Sequence, residues 1–310
     1  MTKLAGSVGF VPPWGMAVVA MLSVQLGSAL SVSLISSVGA AGTAWLRLSM
    51  GGLIFLLLAR PPLRAIRRHD LPVLLGLGIT TGLMNVTFLA AIDRIPLGTA
   101  VAIDFLGPLT VAAVRSQSRR AITWPVVALV GVVLLTEPWH GGVDLGGIGF
   151  AVLAATGWGM YIVLTQRVGD RFGGIGTLSI TVSIGAATAA IAGIPQATGH
   201  ITVGILAAAA GLAVLVPVLP FALEMLALRQ MTPTAFGTLM ALEPAMGVLL
   251  GLIVLQQQPS ISQVAGILLV VFAGAAAQPG GRRRLRTADP IVPPHTEIDT
   301  VGDAVQHRQT

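Results

Sequence analysis

The chain has 310 residues, 54% hydrophobic and 10% charged, with 18 Lys and Arg against 12 Asp and Glu, a net charge of +6 and no cysteine. Soluble globular domains carry about 25% charged residues, so a soluble fold is excluded and the chain reads as an integral membrane protein. The missing cysteine removes a disulfide framework, thiol catalysis and a thiolate metal site.

A helix needs roughly 20 apolar residues to cross a bilayer. Ten apolar segments meet or approach that length, at 14–34, 41–59, 71–92, 99–114, 123–137, 147–166, 175–195, 202–228, 234–255 and 261–278. Residues 1–13 precede them as a cytoplasmic N-terminus. Lys3 and the small residues around Val38 to Ala41 look like parts of a cleaved signal peptide, but removing the first segment would upset the charge pattern, so it is read as retained. That pattern also accounts for the basic charge without nucleic acid. Lys3, then Arg60, Arg64, Arg67 and Arg68, then Arg115, Arg119 and Arg120, then Arg167 and Arg171, then Arg229, then Arg282, Arg283, Arg284, Arg286 and Arg308 fall on one side, and the opposite loops hold Arg94. The positive-inside rule makes the basic side cytoplasmic, puts both termini inside and requires an even number of spans, which ten satisfies. Residues 279–310 turn polar, with Pro279, Pro290, Pro293 and Pro294, and read as a flexible basic cytoplasmic tail whose arginines meet anionic lipid.

The chain also repeats itself. Residues 91–108 (AIDRIPLGTAVAIDFLGP) lie over 227–244 (ALRQMTPTAFGTLMALEP) at a constant offset that matches Ala91, Leu106 and Pro108 with Ala227, Leu242 and Pro244. Extended, the offset pairs a first five-helix repeat, 14–137, with a second, 147–278. Five is odd, so the two halves enter the membrane in opposite senses, an architecture common in secondary transporters. Gly78-x-x-x-Gly82 and Gly247-x-x-x-Gly251 read as close helix packing through small residues. Pro108, Pro220 and Pro244 are expected to break their helices, Pro108 beside Asp104 and Pro244 beside Glu243.

Four charged residues lie well inside the apolar segments: Arg47, Asp104, Glu224 and Glu243. Each costs at least about 2.5–3.5 kcal/mol on insertion scales, so they mark a site for a polar or ionic solute. Arg47 and Asp104 fall at a similar depth, about 9 Å from the outer surface, and are expected to pair, either as a structural ion pair or as partners of a zwitterionic solute. Glu243 sits near the midplane with no intramembrane cation left to neutralise it. It is the candidate for a carboxylate that alternately takes a proton and a substrate ammonium group, against the alternative of a permanently protonated, hydrogen-bonded Glu. Glu224 lies near the cytoplasmic end of its span, as gate or second acid. Three acids against one base favour cation or proton binding over an anionic substrate. Candidate pocket-lining residues are Gln25, Asn85, Thr87, Trp158, Tyr161 and Thr238, each also readable as an interhelical hydrogen bonder or interface anchor. The five histidines lie in loops or the tail, so no metal site is expected. There is no P-loop, no dinucleotide fingerprint and no nucleophile with a base, so no cofactor and no enzyme activity are expected and energy must come from an ion or solute gradient.

The stretches PLGTAVAIDFLGPL (96–109), LPFALEMLAL (219–228) and FGTLMALEPA (236–245) resemble the drug/metabolite transporter superfamily and, within it, the threonine/homoserine exporters of bacterial inner membranes. The resemblance implies an all-α integral membrane protein of ten transmembrane helices, built as two inverted EamA-type halves. It also implies export of small amino acids or related metabolites by proton antiport. The acids of those motifs fall on Asp104, Glu224 and Glu243, and the arginine of the second span on Arg47. Two departures stand out: Asp104 replaces a Glu, and Gln256, Gln257 and Gln258 replace a Gly-Glu before the last span.

The leading expectation is a secondary active transporter exporting small neutral amino acids by proton antiport with alternating access. Efflux of cationic drugs is the alternative within transport. From another class, a metabolite-binding sensor or scaffold would depend on the tail, which deletion of 279–310 would reveal. The expected partners are the small-molecule substrate, protons and membrane lipid, with no nucleic acid; a homodimer is left open.

Overall fold

The computed structural model describes residues 12–58, 68–115, 122–140, 144–168, 175–231 and 233–277. Lys3, the basic residues Arg60, Arg64, Arg67, Arg119, Arg120 and Arg171, and the whole expected tail lie outside the described residues. Among the described residues the protein is all-helical. The elements are α1 (Pro13–Leu58), α2 (Leu71–Ile92), α3 (Leu97–Asp104), α4 (Leu106–Arg115), α5 (Thr123–Thr136), α6 (Leu145–Val168), α7 (Ile175–Ala197), α8 (Val203–Ala213), α9 (Leu219–Gln230), α10 (Pro233–Met240), α11 (Glu243–Val254) and α12 (Ile261–Ala277). By length and composition, seven stretches are long and apolar enough to cross a membrane, and α5 and α12 are shorter apolar helices beside them. Apolar side chains also cover the outside, with Leu57, Val203 and Ile261 at 79%, 84% and 92% exposure. In water such a surface would aggregate, whereas in a bilayer it faces lipid.

The first two expected spans form one element. The 46 residues of α1 turn at Gly39, whose φ of 73° and ψ of 167° are open essentially to glycine alone. A helix restarting after such a turn leaves backbone N–H groups without partners. Gln196, at the end of α7, supplies the acceptor: its side-chain oxygen takes hydrogen bonds from Ala41 N at 2.9 Å and Gly42 N at 3.3 Å.

Three further spans are broken where proline was expected to act. In each case the break precedes the proline, which then stands in the first turn of the next helix, where its missing N–H is not needed. Pro108 is the third residue of α4, Pro220 the second of α9 and Pro244 the second of α11. The break before α9 is a π-turn, Val214–Val218, that contains the unexpected Pro217.

Lipid tails are as apolar as leucine, so helices associate through close packing rather than through the hydrophobic effect. α1 packs on α7, α8 and α9, α2 on α6 and α7, α3 on α11, and α5 on α12. Glycines permit the closest crossings. A Cβ on Gly131 of α5 would stand 2.6 Å from the Gly266 carbonyl oxygen of α12, and one on Gly266 would stand 2.5 Å from that of Gly131. The expected role of Gly82 is met in the same way, against the Gly185 carbonyl oxygen at 2.6 Å. Phe55 of α1 and Phe221 of α9 meet edge to face at 6.1 Å, tying the broken helix to the core.

One end of the bundle is clamped by polar contacts. Gln257 accepts a hydrogen bond from Leu97 N at 3.1 Å, capping α3. Glu137 accepts from Ser260 and Ser262. Ser260 and Gln263 form a reciprocal capping box that starts α12. Before α6, the Gly147 N–H donates to Asp144 at 2.8 Å. That bond, with Arg94 at 3.5 Å adding its charge, holds the Asp144 carboxyl below the usual carboxylate range.

Candidate functional site

The two short half-helices α3 and α10 carry the site. α3 ends at Asp104 because the chain cannot continue regularly into the turn that holds Pro108, and α11 begins at Glu243 for the equivalent reason at Pro244. Both acids are thereby placed at interruptions of the helix ladder, where backbone and side chain reach into the interior of the bundle. The second half of α1 brings Arg47 to the same depth, its first half brings Gln25 and Ser28, α2 brings Asn85 and α9 brings Glu224. These residues line a single cavity of about 250 Å³, together with Trp158 of α6 and the apolar side chains Val24, Met84, Phe88, Val101, Val216 and Met240.

Arg47 is 2% exposed. Its Nη2 donates to Asn85 Oδ1 at 2.6 Å and its Nη1 to Ser31 Oγ at 3.4 Å, the second bond being long. Asn85 is itself held by donating from Nδ2 to the Thr81 carbonyl oxygen at 2.9 Å, which leaves its oxygen facing the guanidinium. The expected ion pair of Arg47 with Asp104 is therefore not formed. Among the described residues the ion pairs are His69–Asp70 and Arg94–Asp144, both near helix ends. Both residues line the same cavity, but the polar group that the Arg47 guanidinium meets at bonding distance is Asn85 on α2.

What remains unsatisfied defines the chemistry. Among the described residues, four buried side-chain polar atoms have no hydrogen-bond partner: Arg47 Nε, Asp104 Oδ1, Glu243 Oε2 and Gln25 Oε1. Glu243 is 6% exposed and its other oxygen accepts from Gln25 Nε2 at 3.3 Å. Orphaned buried polar groups cost about 1–3 kcal/mol each, more when charged. A cavity holding an unpaired guanidinium N–H and two unpaired carboxylate oxygens matches a small solute with both a positive and a negative group.

All four residues expected to carry charge thus meet at one cavity, with Gln25, Asn85 and Trp158 of the candidate lining. Thr87 does not join them, since its hydroxyl bonds back to the Leu83 and Met84 carbonyls of its own helix. Tyr161 and Thr238 are also absent from the lining, and Thr238 is exposed. Ser28, 2% exposed, is a lining residue that the sequence did not single out. A serine in an apolar helix ordinarily bonds its own backbone, so no sequence signal distinguishes it.

Comparison with known proteins identifies the family. Residues 145–276 match the model of the EamA-like transporter family. The threonine/homoserine exporter RhtA of Escherichia coli (strain K12) is 36% identical over 285 residues, covering 87% of this chain and 93% of that protein. The threonine/homoserine exporter RhtA of Salmonella typhimurium (strain SL1344) is 35% identical over the same shares. Among solved structures, a crystallised protein with 20% identity aligns at a TM-score of 0.58 over 85% of this chain and 97% of its own, which is a likeness of fold. This multi-pass membrane protein belongs to the EamA-like transporter family.

Proposed function

We propose that the protein is a secondary active exporter of small neutral amino acids, of the threonine and homoserine type, working by proton antiport with alternating access in the cytoplasmic membrane. The observation that carries this reading is one cavity lined by residues with unpaired groups of both signs, Arg47 Nε and the oxygens of Asp104 and Glu243. Arg47 holds the solute's carboxylate, Asp104 its ammonium, and Glu243 exchanges the ammonium for a proton. Glu224, on the same cavity, is the second acid toward the cytoplasmic end. At about 250 Å³ the cavity is smaller than the roughly 300–1,000 Å³ of drug-sized sites, which favours an amino acid over a cationic drug. The printed names of the RhtA relatives supply the substrate class.

The transport cycle rests on ten spans in two inverted repeats with both termini inside. Counting α1 as two passes across Gly39, the broken pairs α3–α4, α8–α9 and α10–α11 as one each, and α5 and α12 as short spans supports that number. The packing supports the repeat. The first pass of α1 meets α9 as α2 meets α6, and α5 meets α12 as α3 meets α11, a pattern that maps onto itself when each span is exchanged for the one five places on.

The test is uptake of labelled threonine and homoserine into inside-out vesicles with and without an acid interior. Accumulation driven by the gradient is expected. No accumulation of either, with the protein folded, would overturn the amino-acid reading and leave cationic efflux to be tested with a dye.

A further inference from the structure

The charges around the cavity leave one polar atom unexplained. A solute bearing a carboxylate and an ammonium satisfies Arg47 Nε, Asp104 Oδ1 and Glu243 Oε2. Gln25 Oε1 is different in kind. It is a neutral amide oxygen on a side chain 1% exposed, it has no partner, and its residue lines the same cavity. The other end of that amide is already committed, because Nε2 donates to Glu243 Oε1 at 3.3 Å. The side chain is thereby held in place with one acceptor unused. Val24 and Val216 line the cavity with Gln25, and Val216 presses on Gly27 of the same helix, where an added Cβ would collide with the valine methyl. A buried, neutral acceptor in a cavity that also has aliphatic lining suits a neutral donor carried on a short aliphatic side chain.

We infer that Gln25 selects for a hydroxyl on the side chain of the transported amino acid, an inference that rests on the transport reading above. The donor is the solute's O–H, the acceptor is Gln25 Oε1, and the methyl or methylene beside the hydroxyl lies against Val24 and Val216. A solute of the same shape without the hydroxyl leaves the amide oxygen unpaired in a dry site. Sites built to bond a hydroxyl discriminate far more strongly than apolar pockets do. Gln25 also touches the proposed proton carrier, so side-chain recognition and the exchange at Glu243 share one amide.

The experiment measures inhibition of labelled-threonine uptake in wild-type vesicles by unlabelled L-threonine, by L-valine, which replaces the hydroxyl with a methyl of similar size, and by O-methyl-L-threonine, which keeps the oxygen but cannot donate. L-Threonine is expected to inhibit about tenfold or more better than either analogue. In Gln25→Leu the gap between threonine and valine is expected to close to about twofold or less. If instead the solute's ammonium filled the acceptor, valine would equal threonine in the wild type, and that result overturns the inference while leaving transport standing. A full gap retained in Gln25→Leu overturns it as well. Should Gln25→Leu fail to fold, the wild-type analogue series and Gln25→Asn, expected to lose part of the gap, still decide. Wild-type vesicles that accumulate no amino acid sink the transport reading itself, and this inference with it.

Discussion

The two interruptions that build the site are made alike and chemically reversed. Each follows an eight-residue half-helix, α3 or α10, and each is followed by a helix with proline in its first turn. When Pro108 is laid over Pro244, Asp104 falls on Met240 and Gly107 on Glu243. The first break thus carries its acid on the residue that ends α3, and the second carries it on the residue that starts α11. Helix ends differ in sign. The C-terminal end is negative and the N-terminal end positive, each equivalent to roughly half a charge. Asp104 therefore adds its charge to a negative end and is left needing a cation, whereas Glu243 stands in the first turn of α11, at the positive end of that helix dipole. The difference teaches that two interruptions of like build can set two carboxyl groups in unlike fields, which the proposed roles of a cation holder and a proton carrier require.

The comparison exposes the proposed division of labour to test. Glu243→Gln is expected to have the largest effect. Accumulation driven by the proton gradient falls to the level of vesicles without the protein, while gradient-free exchange of threonine across the membrane persists. Loss of exchange as well would place Glu243 in substrate binding alone. Asp104→Asn is expected to raise the KM for threonine by about tenfold, the value of a lost bond to a charged group, with the remaining transport still responding to the gradient. An unchanged KM would end the ammonium-holding role. The smallest effect concerns the scaffold. Gly107 lies so close to α6 that a Cβ would overlap the Ala155 carbonyl oxygen. Gly107→Ala is expected to destabilise the protein by about 1–3 kcal/mol, as overpacking does, and to lower its melting temperature in detergent. Gly247→Ala, whose Cβ would meet only the Val101 side chain at 3.1 Å, should lower it less.

Much of this site was legible because charges and prolines are rare in an apolar sequence. Arg47, Asp104, Glu224 and Glu243 stood out for their cost in hydrocarbon, and the structure gathers all of them at one cavity. What the sequence withheld was rotational and long-range. Depth along a helix follows from counting residues, but the side on which a residue faces does not, which is why Arg47 turned to Asn85 and Thr87 to its own backbone. The acceptors Gln196 and Gln257 were hidden for another reason. An amide at the end of a span looks like loop polarity until the helix whose N–H groups it caps, some 155 or 160 residues away in the chain, is placed beside it. Pro217 went unnoticed because Pro220, three residues on, already accounted for a break.

The bond from Gln196 to the turn of α1 bears on how the protein is made. The bend at Gly39 is made some 155 residues before the group that completes its backbone bonding, which arrives only with the end of α7. Until that point the opening hairpin must rely on water, lipid headgroups or the insertion machinery to meet its bare N–H groups. A nascent chain halted before residue 196 lacks the contact that closes its first turn, so the second half of the polypeptide acts as a late fastener for the first.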